Sequence, residues 1–263
     1  MRNGPRDSAQ KAGRRRPFSY NIDVMSDLKI YVCYSCDSPI LDEFKSKPRV
    51  YVPVKCGGYV NDGIRLSDAE GDSISEYNPY VNEMSLIWAV GKNFEKFGSP
   101  EYLGFAHYRR YLDVSEAELR PDAILCHKSV SPAPEGSMYG IYHVASDLDR
   151  FMQIFRQTFP ERFQELLDYF RQREQYSCNL FVMYRDLFAE YFRFIDGCVR
   201  ICVYRMFPNL DLDGRDRYQK RALGFILERM TSCWIWNRLR RGDVSGIDVP
   251  VVEADVQSMY SRV

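Results

Sequence analysis

The chain of 263 residues has no excess charge of either sign: 36 lysines and arginines stand against 36 aspartates and glutamates. That balance argues against broad electrostatic binding of nucleic acid, which needs a basic surface to displace the counterions of the phosphates. No apolar run approaches eighteen residues, so no transmembrane helix is expected, while peripheral membrane association stays open. The opening stretch MRNGPRDSAQKAGRRRPFSYNIDVMSD lacks the apolar core of a secretory signal. The expected location is therefore cytoplasmic, including the inner face of the membrane. There is no G-x-x-x-x-G-K-[ST] loop, no G-x-G-x-x-G fingerprint and no G-x-S-x-G elbow, which removes the main support for nucleotide-loop, dinucleotide and serine-hydrolase readings. Three histidines leave little material for a histidine-rich metal site.

Aromatics are abundant, with 19 tyrosines and 16 phenylalanines, enough for a sizeable core. Eight cysteines are scattered along the chain, at positions 33, 36, 56, 126, 178, 198, 202 and 233. Most stand in apolar runs, as reduced core cysteines do, and no disulfide framework is expected. Cys33-x-x-Cys36 matches a thiol redox motif, but a second such pair is missing and coincidence is the plainer reading.

Residues 1–28 are polar and read as a disordered basic tail, or as an arm whose Arg14, Arg15 and Arg16 touch anionic lipid. KIYVCYS (29–35) and RVYVPV (49–54) read as strands. Asn78-Pro79 marks a helix start, and Met84, Ile87, Val90, Phe94 and Phe97 continue it at helical spacing up to Gly98. EYLGFAHYRRYLD (101–113) reads as a strand running into a loop. Helices are expected over 147–159, 161–173, 186–207 and 217–240, with a short strand at 178–184. Early strands followed by a mostly helical half indicate an α/β domain over 29–253, with a C-terminal tail at 254–263. Such domains bind ligands beyond the carboxyl ends of their strands.

His107-Tyr108-Arg109-Arg110-Tyr111 closes the strand LGFA at such a place. Strand alternation predicts His107 and Arg109 on one face and Arg110 on the other. Arginine grips phosphate in a bidentate fork; the plainer reading is a structural cluster paired to carboxylates such as Asp113. Asp211-x-Asp213 spells a metal-binding pattern, yet it falls in a turn before Gly214 and reads equally as a solvated turn. Asp147 reads as a cap of the helix that follows it.

The words ISEYNPYVNEMSLIWAVGKN, YLGFAHYRRYLD, MYGIYHVASDLD, NLFVMYRD and RALGFILERMTSCWI occur in this order. On them the sequence resembles the bacterial capsular and exopolysaccharide biosynthesis family catalogued as domain of unknown function 4422. The resemblance implies a GT-A-like single domain, a mixed central sheet flanked by helices. It implies a glycosyltransferase that moves a hexose, galactose among the candidates, from a nucleotide donor such as a UDP-sugar to a glycan or lipid-linked glycan. The alternative is a non-catalytic protein of the same fold that binds a sugar nucleotide or glycan. HYRRY stands where such enzymes carry a strand-end D-x-D, so no metal ligand is assigned and a role for Mn or Mg is not supported by that motif. The expected roles are charge stabilisation by Arg109, donor contacts by His107, Arg109, Arg110, Asn179, Glu83 and Asn82, and acceptor contact by His143. Glu228, in the GFILER word, is the candidate base for the acceptor hydroxyl, since a transfer that inverts the anomeric centre needs a carboxylate.

Overall fold

A computed structural model describes residues 27–254. The bulk of both expected tails, 1–26 and 255–263, lies outside the described residues. Among the described residues nine strands form one mixed sheet: β1 (Leu28–Tyr34), β2 (Tyr51–Lys55), β3 (Leu66–Ser67), β4 (Tyr102–His107), β5 (Arg110–Leu112), β6 (Ala123–Val130), β7 (Glu174–Tyr184), β8 (Ser245–Asp248) and β9 (Val251–Glu253). Their order is β3-β2-β1-β4-β7-β6-β8, with β5 on β4 and β9 on β5. Strands β3, β2, β1 and β4 run parallel, while β7 lies antiparallel to both β4 and β6. The α/β expectation with a mixed central sheet is met. Leu28, placed in the tail from sequence, is the fully buried first residue of β1.

The apolar runs are continuous because both faces of the sheet are covered. Tyr31, Cys33, Leu103, Phe105, Phe181 and Met183 point into the larger core. Ile30, Val32, Tyr102, Ala106, Leu180 and Val182 point into the smaller one. This is the period of two that a strand imposes.

Eight helices complete the described residues: α1 (Asp42–Ser46), α2 (Asn78–Val81), α3 (Met84–Lys92), α4 (Glu135–Tyr142), α5 (Ala145–Thr158), α6 (Phe163–Arg171), α7 (Arg185–Arg200) and α8 (Ala222–Arg241). The chain is mostly helical after β6, as expected. Helix α8 is buried on nearly all sides over its first four turns, the pattern of a central helix rather than a surface one.

Two local expectations are corrected. The single helix read from Asn78 to Phe97 is two short ones, because Asn82 takes a left-handed backbone (φ 57°). Asp147 does not cap its helix. Its carboxylate is held by Arg215 through two hydrogen bonds of 2.6 and 3.0 Å, and α5 begins two residues earlier.

Candidate active site

The carboxyl ends of β1, β2 and β4 emerge at one edge of the sheet. Because β7 runs the other way, its early residues Cys178 and Asn179 arrive at that edge beside the end of β4. Both take left-handed backbone (φ 66° and 52°), costly for residues with a Cβ. This conformation turns Cys178 toward three side chains from three elements. His107, the last residue of β4, donates from Nε2 to the Cys178 carbonyl at 2.9 Å. The Cys178 N–H donates to Glu228 Oε1 of α8 at 2.5 Å. Arg110, the first residue of β5, donates from Nη1 to Cys178 Sγ at 2.8 Å and pairs with Glu253 at 2.6 Å.

Glu83 completes the cluster. It sits just ahead of α3, is 8% exposed, and accepts from Asn179 Nδ2 at 2.6 Å. The same oxygen lies 3.6 Å from His107 Nε2. Asn179 Oδ1 is shielded from solvent without a hydrogen-bond partner among the described residues. Burial and then the negative charge of Glu83 push the Glu228 carboxyl above the usual glutamate value, against the lowering effect of the Cys178 N–H. Burial, with Glu228 adding to it, pushes the Cys178 thiol up to about 12. Cys178 is therefore a neutral hydrogen-bonding partner, not a nucleophile.

The Asn82 turn that presents Glu83 is braced from two sides. Arg221 donates to Asn82 Oδ1 at 2.5 Å. From below, Asn78 donates to the Asn82 carbonyl at 2.8 Å and to Ser85 Oγ at 2.8 Å, and Ser85 in turn donates to the buried Asp68 at 2.6 Å.

The family model described as "Domain of unknown function (DUF4422)" matches residues 29–239. The chain belongs to the DUF4422 family. A comparison with curated proteins finds no match. Among solved structures, the apo form of WbbM, a bifunctional glycosyltransferase, superposes with a TM-score of 0.71 at 21% identity. The match covers 87% of this chain and 45% of WbbM, so the chain spans less than half of that protein. The DUF4422 chain thus has the fold of part of a glycosyltransferase.

Within this DUF4422 fold the sequence-expected residues divide. His107, Arg110, Glu83, Asn179 and Glu228 come together. Asn82 is adjacent but bound to Arg221. Arg109 does not share a strand face with His107, because β4 ends at His107 and a turn intervenes before Arg110, which pairs with His107 across it. Arg109 is exposed, lies over the Tyr108 ring at 5.9 Å, and has no ion-pair partner among the described residues. His143 stands apart in an aromatic stack with Phe225, at 4.0 Å between ring centroids. Burial, then the positive charge of Arg229, lowers its pKa to about 4. Cys178, Arg221 and Glu253 were missed as site residues. Cys178 and Arg221 adjoin the NLFVM and GFILER words, whereas Glu253 carried no sequence signal.

A divalent cation does not fit the end of β4, where His107, Arg109 and Arg110 supply two permanent positive charges. Asp211 and Asp213 lie elsewhere, in a turn closed by the Asp213 N–H on Asp211 Oδ1 at 3.1 Å. Among the described residues no group of three histidines, cysteines or carboxylates is placed to hold a metal ion. Cys33 is buried in the sheet while Cys36 is half-buried beyond its end, and both are free thiols. Among the described residues no helix is long and apolar enough to cross a membrane.

Proposed function

We propose that this chain is a glycosyltransferase that moves a hexose, galactose being the first candidate, from a UDP-sugar to a glycan or lipid-linked glycan during capsule or exopolysaccharide synthesis. One observation carries the reading. Two carboxylates, Glu83 and Glu228, gather with His107 and Arg110 around Cys178 and Asn179 at the carboxyl edge of a glycosyltransferase-like sheet.

In the reaction the acceptor hydroxyl oxygen attacks the anomeric carbon. The bond from that carbon to the diphosphate breaks, and its electron pair leaves with the phosphate. Glu228 takes the hydroxyl proton. Burial and the charge of Glu83 raise its pKa, which makes it a stronger base than an ordinary glutamate. Arg109, exposed and without a carboxylate partner among the described residues, meets the charge developing on the diphosphate, with Arg110 beside it, while His107 orients the donor site through the Cys178 carbonyl. Glu83 holds a donor-sugar hydroxyl, and Asn179 fixes the Glu83 rotamer while its free Oδ1 receives a second one. Asn82 acts through the turn it makes.

The test is turnover of UDP-galactose and other nucleotide sugars by the purified chain, followed as UDP release with and without sugar acceptors. Glu228→Gln and Arg109→Ala are each expected to lower turnover by about 10²–10³-fold with melting temperature retained. The acid limb of the pH–rate profile should lie above the ordinary glutamate value. Full activity in folded Glu228→Gln would remove the base assignment. Binding of UDP without turnover of any donor would favour the non-catalytic alternative.

A further inference from the structure

The described residues hold few exposed large apolar side chains, and three of them stand on two segments that are tied together. Ile141 and Tyr142 at the end of α4 are 65% and 56% exposed, and Tyr218 is 48% exposed. Gln219 ties the two segments by donating to the Tyr142 carbonyl at 2.9 Å. Behind them three rings cluster, with Phe225 buried beneath the other two. Tyr218 lies 5.7 Å from His143 and 4.8 Å from Phe225, while His143 lies 4.0 Å from Phe225. Two polar atoms beside the stack, His143 Nδ1 and Gln219 Oε1, are shielded and have no hydrogen-bond partner in the described structure.

The patch leads to the candidate active site. The guanidinium of Arg221 lies over the Phe225 ring at 5.5 Å and donates to Asn82, the residue before Glu83. Phe225 precedes Glu228 by three residues on α8, about one turn and roughly 4.5 Å along the helix axis.

We propose that the exposed Tyr218 ring, stacked on His143 over the buried Phe225 and beside the Tyr142 segment, is an acceptor subsite that binds a pyranose ring of a glycan. The proposal rests on the transferase reading for its substrate class. A pyranose offers one face of C–H groups to the electron-rich face of an aromatic ring, and its rim hydroxyls both donate and accept hydrogen bonds. The exposed Tyr218 ring, stacked on His143 and bordered by unpartnered polar atoms, matches both requirements. A lipid surface would use the exposed apolar tips but not the unpartnered atoms of His143 and Gln219. With its pKa near 4, His143 is neutral at physiological pH and offers one nitrogen as donor and the other as acceptor.

The experiment is saturation-transfer NMR on the full chain with octyl glycosides of lactose, cellobiose and chitobiose. Octanol and phosphatidylglycerol vesicles are the controls, and a thermal shift with UDP runs in parallel. Transfer to sugar ring protons is expected for the wild type and for Tyr218→Phe, with about ten-fold weaker binding in Tyr218→Ala and in Tyr142→Ala. Unchanged sugar affinity in both alanine variants overturns the proposal. So does an absence of transfer to any of the three sugars, or Tyr218-dependent binding of vesicles or octanol alone. The UDP shift separates the two readings. UDP stabilisation without Tyr218-dependent sugar binding sinks the subsite alone, while sugar binding without any donor effect leaves the subsite standing and sinks the transferase.

Discussion

At the residue scale, the site is organised around Cys178, whose carbonyl, N–H and sulfur each meet a different candidate residue. None of those contacts uses thiol reactivity. Rapid alkylation of the native protein at pH 8 is accordingly expected at Cys36, the half-buried thiol beyond the end of β1, with the six buried cysteines protected. Peptide mapping after a short iodoacetamide pulse checks this, and fast labelling of Cys33 would reopen the redox reading of that pair. His143 yields a pH prediction. Its folded pKa of about 4 lies below the ordinary value of 6.5, so between these two values the unfolded state binds more protons. The folded protein loses stability as pH falls from 6.5 toward 4, and His143→Gln removes that part of the loss. Melting temperatures of the two proteins at pH 7 and pH 5 measure it; the wild type should fall further.

At the scale of elements, the close approach of α8 to the α2–α3 turn sets the position of Glu83. Gly224 makes that approach possible. A Cβ there would stand 2.1 Å from Asn82 Nδ2 and 3.2 Å from the Val81 carbonyl carbon. Gly224→Ala is expected to push the Asn82 turn away and destabilise the fold by about 1–3 kcal/mol. It should also lower turnover beyond what the stability loss explains, since Glu83 moves with the turn. Urea unfolding and UDP-sugar turnover on the same preparation separate the two effects; normal turnover would show that the turn does not govern Glu83.

At the scale of the whole molecule, one sheet separates two cores, and its strands supply both. Neither core can open without exposing strands that also line the other. Trp88, Trp234 and Trp236 all belong to the larger core, whereas far-UV circular dichroism reports the sheet and helices together. The two signals should therefore give coincident denaturation transitions. A fluorescence transition well ahead of the dichroism would mean that the helical face unfolds on its own. The candidate site shares this dependence, because Arg110 is paired with Glu253 on β9, far along the chain and joined to β5 only through the sheet.

Local chemistry alone determined several features. The continuous apolar runs at 30–34, 102–106 and 180–184 read as buried strands, and the HYRRY word stood out because cations are rarely clustered at a strand end. His107 was a candidate by type and position, while Glu83, Asn179 and Glu228 entered through the family resemblance. What the tertiary structure decided was their partnership. The antiparallel run of β7 brings Cys178 to the end of β4, a pairing about seventy residues long in sequence that no local pattern encodes. Strand alternation failed at Arg109 because the chain turns right after His107, and it placed Arg110 at the cluster instead. Asp147 looked like a cap from its neighbours, yet Arg215, distant in sequence, bound it first. Periodicity and turn chemistry act over a few residues, so they mark elements and end there. A site assembled from four elements depends on backbone approach and burial, which exist only once the sheet and α8 have packed.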